Sequence, residues 1–159
     1  MMEKNYVQML KESLEKKCDI LRQLQYLTQK QSEILQDKEA SAQIFEDNVT
    51  EKDVMIQRLQ TLDAGFEQVF AKVEMELLNN REQYKEDIRF MQDKIREITE
   101  RSTSLQVMEK QNKELATNKF ANIRSRARGL RQSGKAVSSY YKNMMKAGAM
   151  EPQFMDSKK

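Results

Sequence analysis

The residues whose types and spacing could do chemistry are concentrated between Arg124 and Tyr141, in RSRARGLRQSGKAVSSYY. Within it, Gly129-Leu-Arg-Gln-Ser-Gly134-Lys135 matches much of a phosphate-binding loop, where backbone N–H groups and a lysine cradle phosphates. Such a loop needs Ser or Thr after the lysine to hold magnesium, and position 136 is Ala. It also needs a buried strand before it, whereas the residues that precede Gly129 have helical periodicity. No nucleotide site is expected, and no cofactor. Cys18 is the single cysteine, and the chain has no histidine to serve as its base. On an apolar stripe it reads as a small hydrophobe. The acids are spread along solvated helical faces and no Cys/His spacing suits a metal, so no catalytic, cofactor-binding or metal-binding residue is assigned and an enzyme is not expected.

The elements that must position the basic stretch are helical. Of 159 residues a third are charged, the mean hydropathy is -0.85, and there is one proline and four glycines. That composition suits long exposed helices sharing a narrow seam. Tyr6, Leu10, Leu14, Leu21, Leu24, Leu27 and Ile34 form a first stripe, with Cys18 on the same face. KEASAQIFEDN reads as a short helix or a loose corner, pinned by Phe45 and Val49. Thr50, with Asp53 three residues on, predicts a helix start. Ile56, Leu59, Leu62, Phe66, Val69, Val73 and Leu77 carry a second stripe, interrupted by Gly65. Asn79-Asn80 breaks it and caps the next helix. Tyr84, Ile88, Met91, Ile95, Ile98, Leu105, Met108 and Leu115 make the third, in which polar Asn112 sets the register. The expected fold is all-α: an antiparallel bundle of about three long helices (roughly 3–37, 50–79 and 81–118 onward) over residues 1–118. An amphipathic, partly disordered C-terminal tail over 119–159 completes it. A homodimeric coiled-coil adaptor is the alternative. The N-terminus lacks the apolar core of a signal peptide, and no run approaches the roughly 18 apolar residues that span a bilayer. A cytoplasmic protein is expected.

Charge is divided unevenly. Residues 1–118 carry 18 Lys/Arg against 23 Asp/Glu, a net of -5, and residues 119–159 carry 10 against 2, a net of +8. On a helical wheel, Phe120, Ile123, Ala127, Leu130, Gly134, Val137, Tyr141 and Met144 share one side of the tail. Arg124, Arg128, Arg131, Lys135, Lys142 and Lys146 edge it. Burial of this stripe does not by itself offset the entropy of ordering the segment, so the tail is expected to fold against a partner. Met144, Met145, Met150 and Met155 add an adaptable surface. Aligned cations could also follow nucleic acid, but no reading motif accompanies them and the body is acidic. A membrane-surface helix is the remaining option. Its apolar face of Ala, Gly and Val, without Trp, makes a poor anchor.

KDVMIQRLQTLDAGFEQVF (Lys52–Phe70), YKEDIRFMQDKIREIT (Tyr84–Thr99), EKQNKEL (Glu109–Leu115) and the ending PQFMDSKK (Pro152–Lys159) are similar to the corresponding segments of Gram-positive FlgN-type flagellar export chaperones. The resemblance covers nearly the whole chain and rests on helical patterns. It implies a cytoplasmic chaperone of the flagellar type III export system. Such a protein binds the C-terminal segments of hook–filament junction (hook-associated) subunits, keeps them unpolymerised and delivers them to the membrane export apparatus. It implies no small-molecule substrate, and it places client binding in the C-terminal region. With the wheel, that makes Phe120, Ile123, Ala127, Leu130, Val137, Tyr141 and Met144 the client-binding face. Arg124, Arg128, Arg131, Lys135 and Lys142 form its electrostatic edge. Tyr140 and Tyr141 are candidates for docking to the export gate.

Overall fold

The computed structural model describes residues 2–120 and 140. Three helices make up the described chain: α1 (Met2–Gln36), α2 (Ala42–Asn79) and α3 (Lys85–Lys119). At 1.5 Å per residue each is more than about 50 Å long. The first connection turns at Asp37, whose N–H still donates to the Glu33 carbonyl and whose carboxylate accepts from the N–H of Glu39. In the second, the Asn80 N–H and side-chain amide both donate to the Glu76 carbonyl, closing α2. Asn80 therefore ends the helix before it rather than capping the next. α3 begins at Lys85 with Glu86 and Asp87 in its first turn, where acids favour the positive end of the helix dipole.

Cross-helix bonds give the topology. Lys17 meets Asp63 and Leu27 meets Asn48, so α2 runs antiparallel to α1. Lys11 meets Asp87, Arg22 meets Glu97 and Asn112 meets Thr28, so α3 runs parallel to α1. The result is an up-down-up, all-α bundle in which α2 and α3 each pack along α1.

Along α1 the buried positions are Val7, Leu10, Leu14, Cys18, Leu21, Leu24, Thr28, Gln31 and Leu35, at helical intervals of three or four. The expected stripe is offset by one residue in three places: Val7 is buried in preference to Tyr6, Thr28 to Leu27 and Leu35 to Ile34. Where two apolar residues adjoin, periodicity does not choose between them. α2 begins at Ala42 rather than Thr50, because Ser41 already supplies the cap, its Oγ accepting from the Ile44 N–H at 3.3 Å. Thr50 lies inside the helix and its hydroxyl donates to the Glu46 carbonyl. Among the described residues Gly65 has no close neighbour to explain it, since a Cβ there would meet none of them within 4 Å.

Two apolar clusters result. The large one joins Leu10, Cys18, Leu21 and Leu24 of α1 to Leu59, Val73 and Leu77 of α2 and to Ile88, Met91, Ile98 and Leu105 of α3. The small one, at the far end, holds Leu35, Phe45, Ala116 and Phe120. Between them, at the α1 level of Thr28 and Gln31, the seam turns polar.

Candidate functional site

Helix α3 ends at Phe120. Its N–H donates to the Ala116 carbonyl at 2.9 Å, ending α3, and its ring meets that of Phe45 edge-on with centroids 5.6 Å apart. Lys119 ties the same corner down, since its ammonium donates to the carbonyls of Ile34 and Asp37 at the C-terminus of α1. Phe120 is thus taken up by the bundle's own packing and is 6% exposed. The rest of the expected client-binding face (Ile123, Ala127, Leu130, Val137, Tyr141 and Met144) lies outside the described residues. So do Arg124, Arg128, Arg131, Lys135 and Lys142 of the electrostatic edge, and with them the tail's expected partial disorder.

Tyr140 is the one described residue beyond Phe120, and it stands in the bundle. It belongs to the large cluster and is 5% exposed, and its hydroxyl donates to Asp63 Oδ2 at 2.9 Å. The other oxygen of that carboxylate accepts from Lys17 Nζ at 2.6 Å. The arrangement reads a tyrosine as such: an apolar cluster takes the ring, and a carboxylate, held by a lysine from the neighbouring helix, takes the hydroxyl. On α2 around the seat, Leu62, Phe66, Val69 and Phe70 are only half-buried. The Phe66 and Phe70 rings stack with centroids 5.9 Å apart. To dock on another protein as expected, Tyr140 would first have to leave this seat.

Of the polar layer, spacing revealed Asn112 alone. Lys52, 3% exposed, donates to Gln31 Oε1 at 3.1 Å and forms a close ion pair with Glu109. Asn112 donates to the Thr28 carbonyl at 2.9 Å and to Gln31 Oε1 at 3.1 Å, which is the register role its position predicts. Asn48 donates to the Leu27 carbonyl, while its Oδ1 is buried with no hydrogen-bond partner among the described residues. Burial pushes the Lys52 ammonium below the usual lysine value, against the pull of Glu109. Burial likewise raises the carboxyl of neighbouring Asp53, opposed by the Lys52 charge. These groups face one another across the seam rather than an opening, so the layer fixes how the helices meet. Asn48 and Lys52 fall in the stretch read as a corner and a helix start. The signal that could have found them is their place in a run of seam positions, 45, 48, 52, 56 and 59.

Cys18 is fully buried and its thiol lies 3.8 Å from the Lys94 carbonyl. Burial, then the Glu97 charge, raises its pKa, which suits a packing residue and not a nucleophile. Among the described residues no group of three or more His, Cys, Asp or Glu is placed to hold a metal ion, and no helix is long and apolar enough to cross a membrane. No family model, curated protein or solved structure matches the chain.

Proposed function

We propose that this chain is a cytoplasmic export chaperone of the flagellar type III secretion system. It captures the C-terminal segments of hook–filament junction subunits, holds them unpolymerised and hands them to the export apparatus. The observation that carries the reading is the division of labour along the chain. An acidic three-helix bundle bears a segment of net charge +8 whose apolar residues recur at helical spacing. The resemblance of Lys52–Phe70, Tyr84–Thr99 and Pro152–Lys159 to FlgN-type chaperones supplies the client class. The mechanism is capture by the amphipathic stripe, with the basic edge pairing client acids and rejecting wrong partners.

The test is affinity capture of the tagged full chain from motile cells, nuclease-treated, beside a Leu130→Asp/Val137→Asp variant. The wild type is expected to recover a hook–filament junction subunit. The variant is expected to lose it while keeping the helical circular dichroism of the bundle. Recovery of no flagellar protein, or of the same partners by both chains, overturns the reading. A stable homodimer at low micromolar concentration, seen by sedimentation, would favour a coiled-coil adaptor instead.

A further inference from the structure

Phe120 and Tyr140 touch the bundle at different heights. Phe120 packs beside Leu35 and Phe45, whereas Tyr140 is held at the level of Lys17 and Asp63. On α1, Leu35 and Lys17 stand about 27 Å apart at the helical rise. Tyr140 therefore meets the bundle well away from Phe120. It does so at a stretch of α2 whose apolar residues are half-buried. Leu62, Phe66, Val69 and Phe70 are half-buried there, with fully buried seam residues on either side: Ile56 and Leu59 before, Val73 and Leu77 after. Phe66 and Phe70 follow Asp63 by three and seven residues, which sets them on the side of α2 that holds the Tyr140 hydroxyl. Charge favours the same pairing, because the body carries a net of -5 and the segment +8.

We propose that the α2 face from Leu62 to Phe70 is a docking surface for the chain's own C-terminal segment, latched by Tyr140 on Asp63, and that docking in cis competes with capture of a partner by that segment. The first half of the proposal stands on the Tyr140 seat alone. The second rests on the client-capture reading above. Lys17 makes the latch selective by holding one carboxylate oxygen and leaving the other for the tyrosine hydroxyl. Because only unlatched chains bind a client, the apparent affinity is the intrinsic one multiplied by the unlatched fraction. The bundle then shields its own apolar stripe when no client is present, and a client must displace it.

Hydrogen exchange of the full chain, read by mass spectrometry over residues 136–144, tests the docking. In the wild type these amides are expected to exchange more slowly than in an unstructured peptide of the same sequence. Tyr140→Phe keeps the ring and removes the bond, and Asp63→Asn keeps the shape and removes the charge. Each is expected to speed exchange roughly tenfold, the scale of a charge-assisted hydrogen bond, with peptides from the far end of α1, around Leu35, unchanged. Exchange at the free-peptide rate in the wild type, or no change in both variants, overturns the latch. Protection that is lost on dilution means that a second copy fills the seat, which overturns docking in cis. For competition, the probe is the purified junction subunit recovered by capture. Tyr140→Phe is expected to bind it about three- to tenfold more tightly than wild type, and equal affinity overturns the competition. If no junction subunit is recovered, the competition falls together with the chaperone reading, while the exchange data still decide the docking.

Discussion

The two halves of α2 invert the usual relation between side-chain type and burial. In the first half, Asn48 and Lys52 are polar and buried, at 6% and 3% exposure. In the second, Leu62, Phe66, Val69 and Phe70 are apolar and half-open. Both halves keep the same helical spacing toward the seam, so the difference lies in what faces them. Near Lys52, α1 supplies Thr28 and Gln31 and α3 supplies Glu109 and Asn112, which close the seam with hydrogen bonds. Near Phe66 the apolar side chains of α2 stay half-buried, and the described residue that comes to this region from outside the three helices is Tyr140. Burial in this bundle follows position on the seam. The departures from side-chain type mark the place that sets register and the place that receives another segment.

The largest effect that can test this contrast is a paired truncation. Leu59→Ala removes a fully buried side chain and is expected to cost about 2–5 kcal/mol. Phe66→Ala, two turns further along the same helix face, removes a larger but half-exposed one and is expected to cost about 1–2 kcal/mol. Urea unfolding followed by circular dichroism measures both. Equal losses would show that the second half of α2 is as well covered as the first.

The polar layer gives the next effect in size. Lys52→Met takes the ion-pair partner from the Glu109 carboxylate and leaves Asn112 as the donor to Gln31, and a cost of about 1–3 kcal/mol is expected. It is not larger because the Glu109 side chain, 18% exposed, can turn toward water. The double variant Lys52→Met/Glu109→Leu is expected to recover most of that loss, since a buried ion pair contributes little beyond an apolar pair of similar volume. A double variant less stable than either single one would mean that the pair holds the bundle together and does more than orient it.

These sites also show how far the sequence could be read. The apolar stripes of α1 and α3 were legible nearly to the residue, because Leu10, Leu14, Leu21, Ile88, Met91 and Ile98 announce a helical period without help. Cys18 was legible as packing because its spacing placed it on the stripe and nothing could activate it. The start of α2 was not, because Asn48 and Lys52 interrupt its apolar run and Thr50 imitates a cap. Ser102 and Ala116 were missed for a related reason: they hold seam positions with side chains that no count of large apolar residues registers. Asn112 was found because its neighbours in the seam were already assigned. The Tyr140 seat could not be read at all, since a hydroxyl finding a carboxylate 77 positions away leaves no periodic trace.

Gly65 offers a smaller effect of the opposite sign. It lies among the half-buried residues of α2, and a Cβ added there meets none of the described residues within 4 Å. Gly65→Ala is expected to stabilise the bundle by about 0.5–1 kcal/mol through the restricted unfolded chain and better helix propensity, with a matching rise in Tm. A loss of stability would show that something approaches this surface closely, and the C-terminal segment would then be the first suspect.

The smallest effect lies on the α1–α3 side, away from either half of α2. Glu97 Oε2 accepts from Arg22 at 2.7 Å and from Arg101 at 2.8 Å. The Arg101 hydrogen bond, with the charges of Arg22, Arg101 and Lys94, holds its carboxyl below the ordinary glutamate value despite the opposing cost of burial. A depressed folded pKa contributes stability that is present above the unfolded value of 4.5 and lost as pH falls through the folded one. Because the group is open to solvent, the contribution is expected to be no more than about 0.5 kcal/mol and to shrink with added salt. Glu97→Gln should therefore be slightly less stable than wild type at pH 7, and the two should converge as the acid range is entered. A gap that persists at low pH would show that the glutamate acts through packing or neutral hydrogen bonds. The α1–α3 side would then be held, like the layer around Lys52, by the fit of its polar groups and not by their charge.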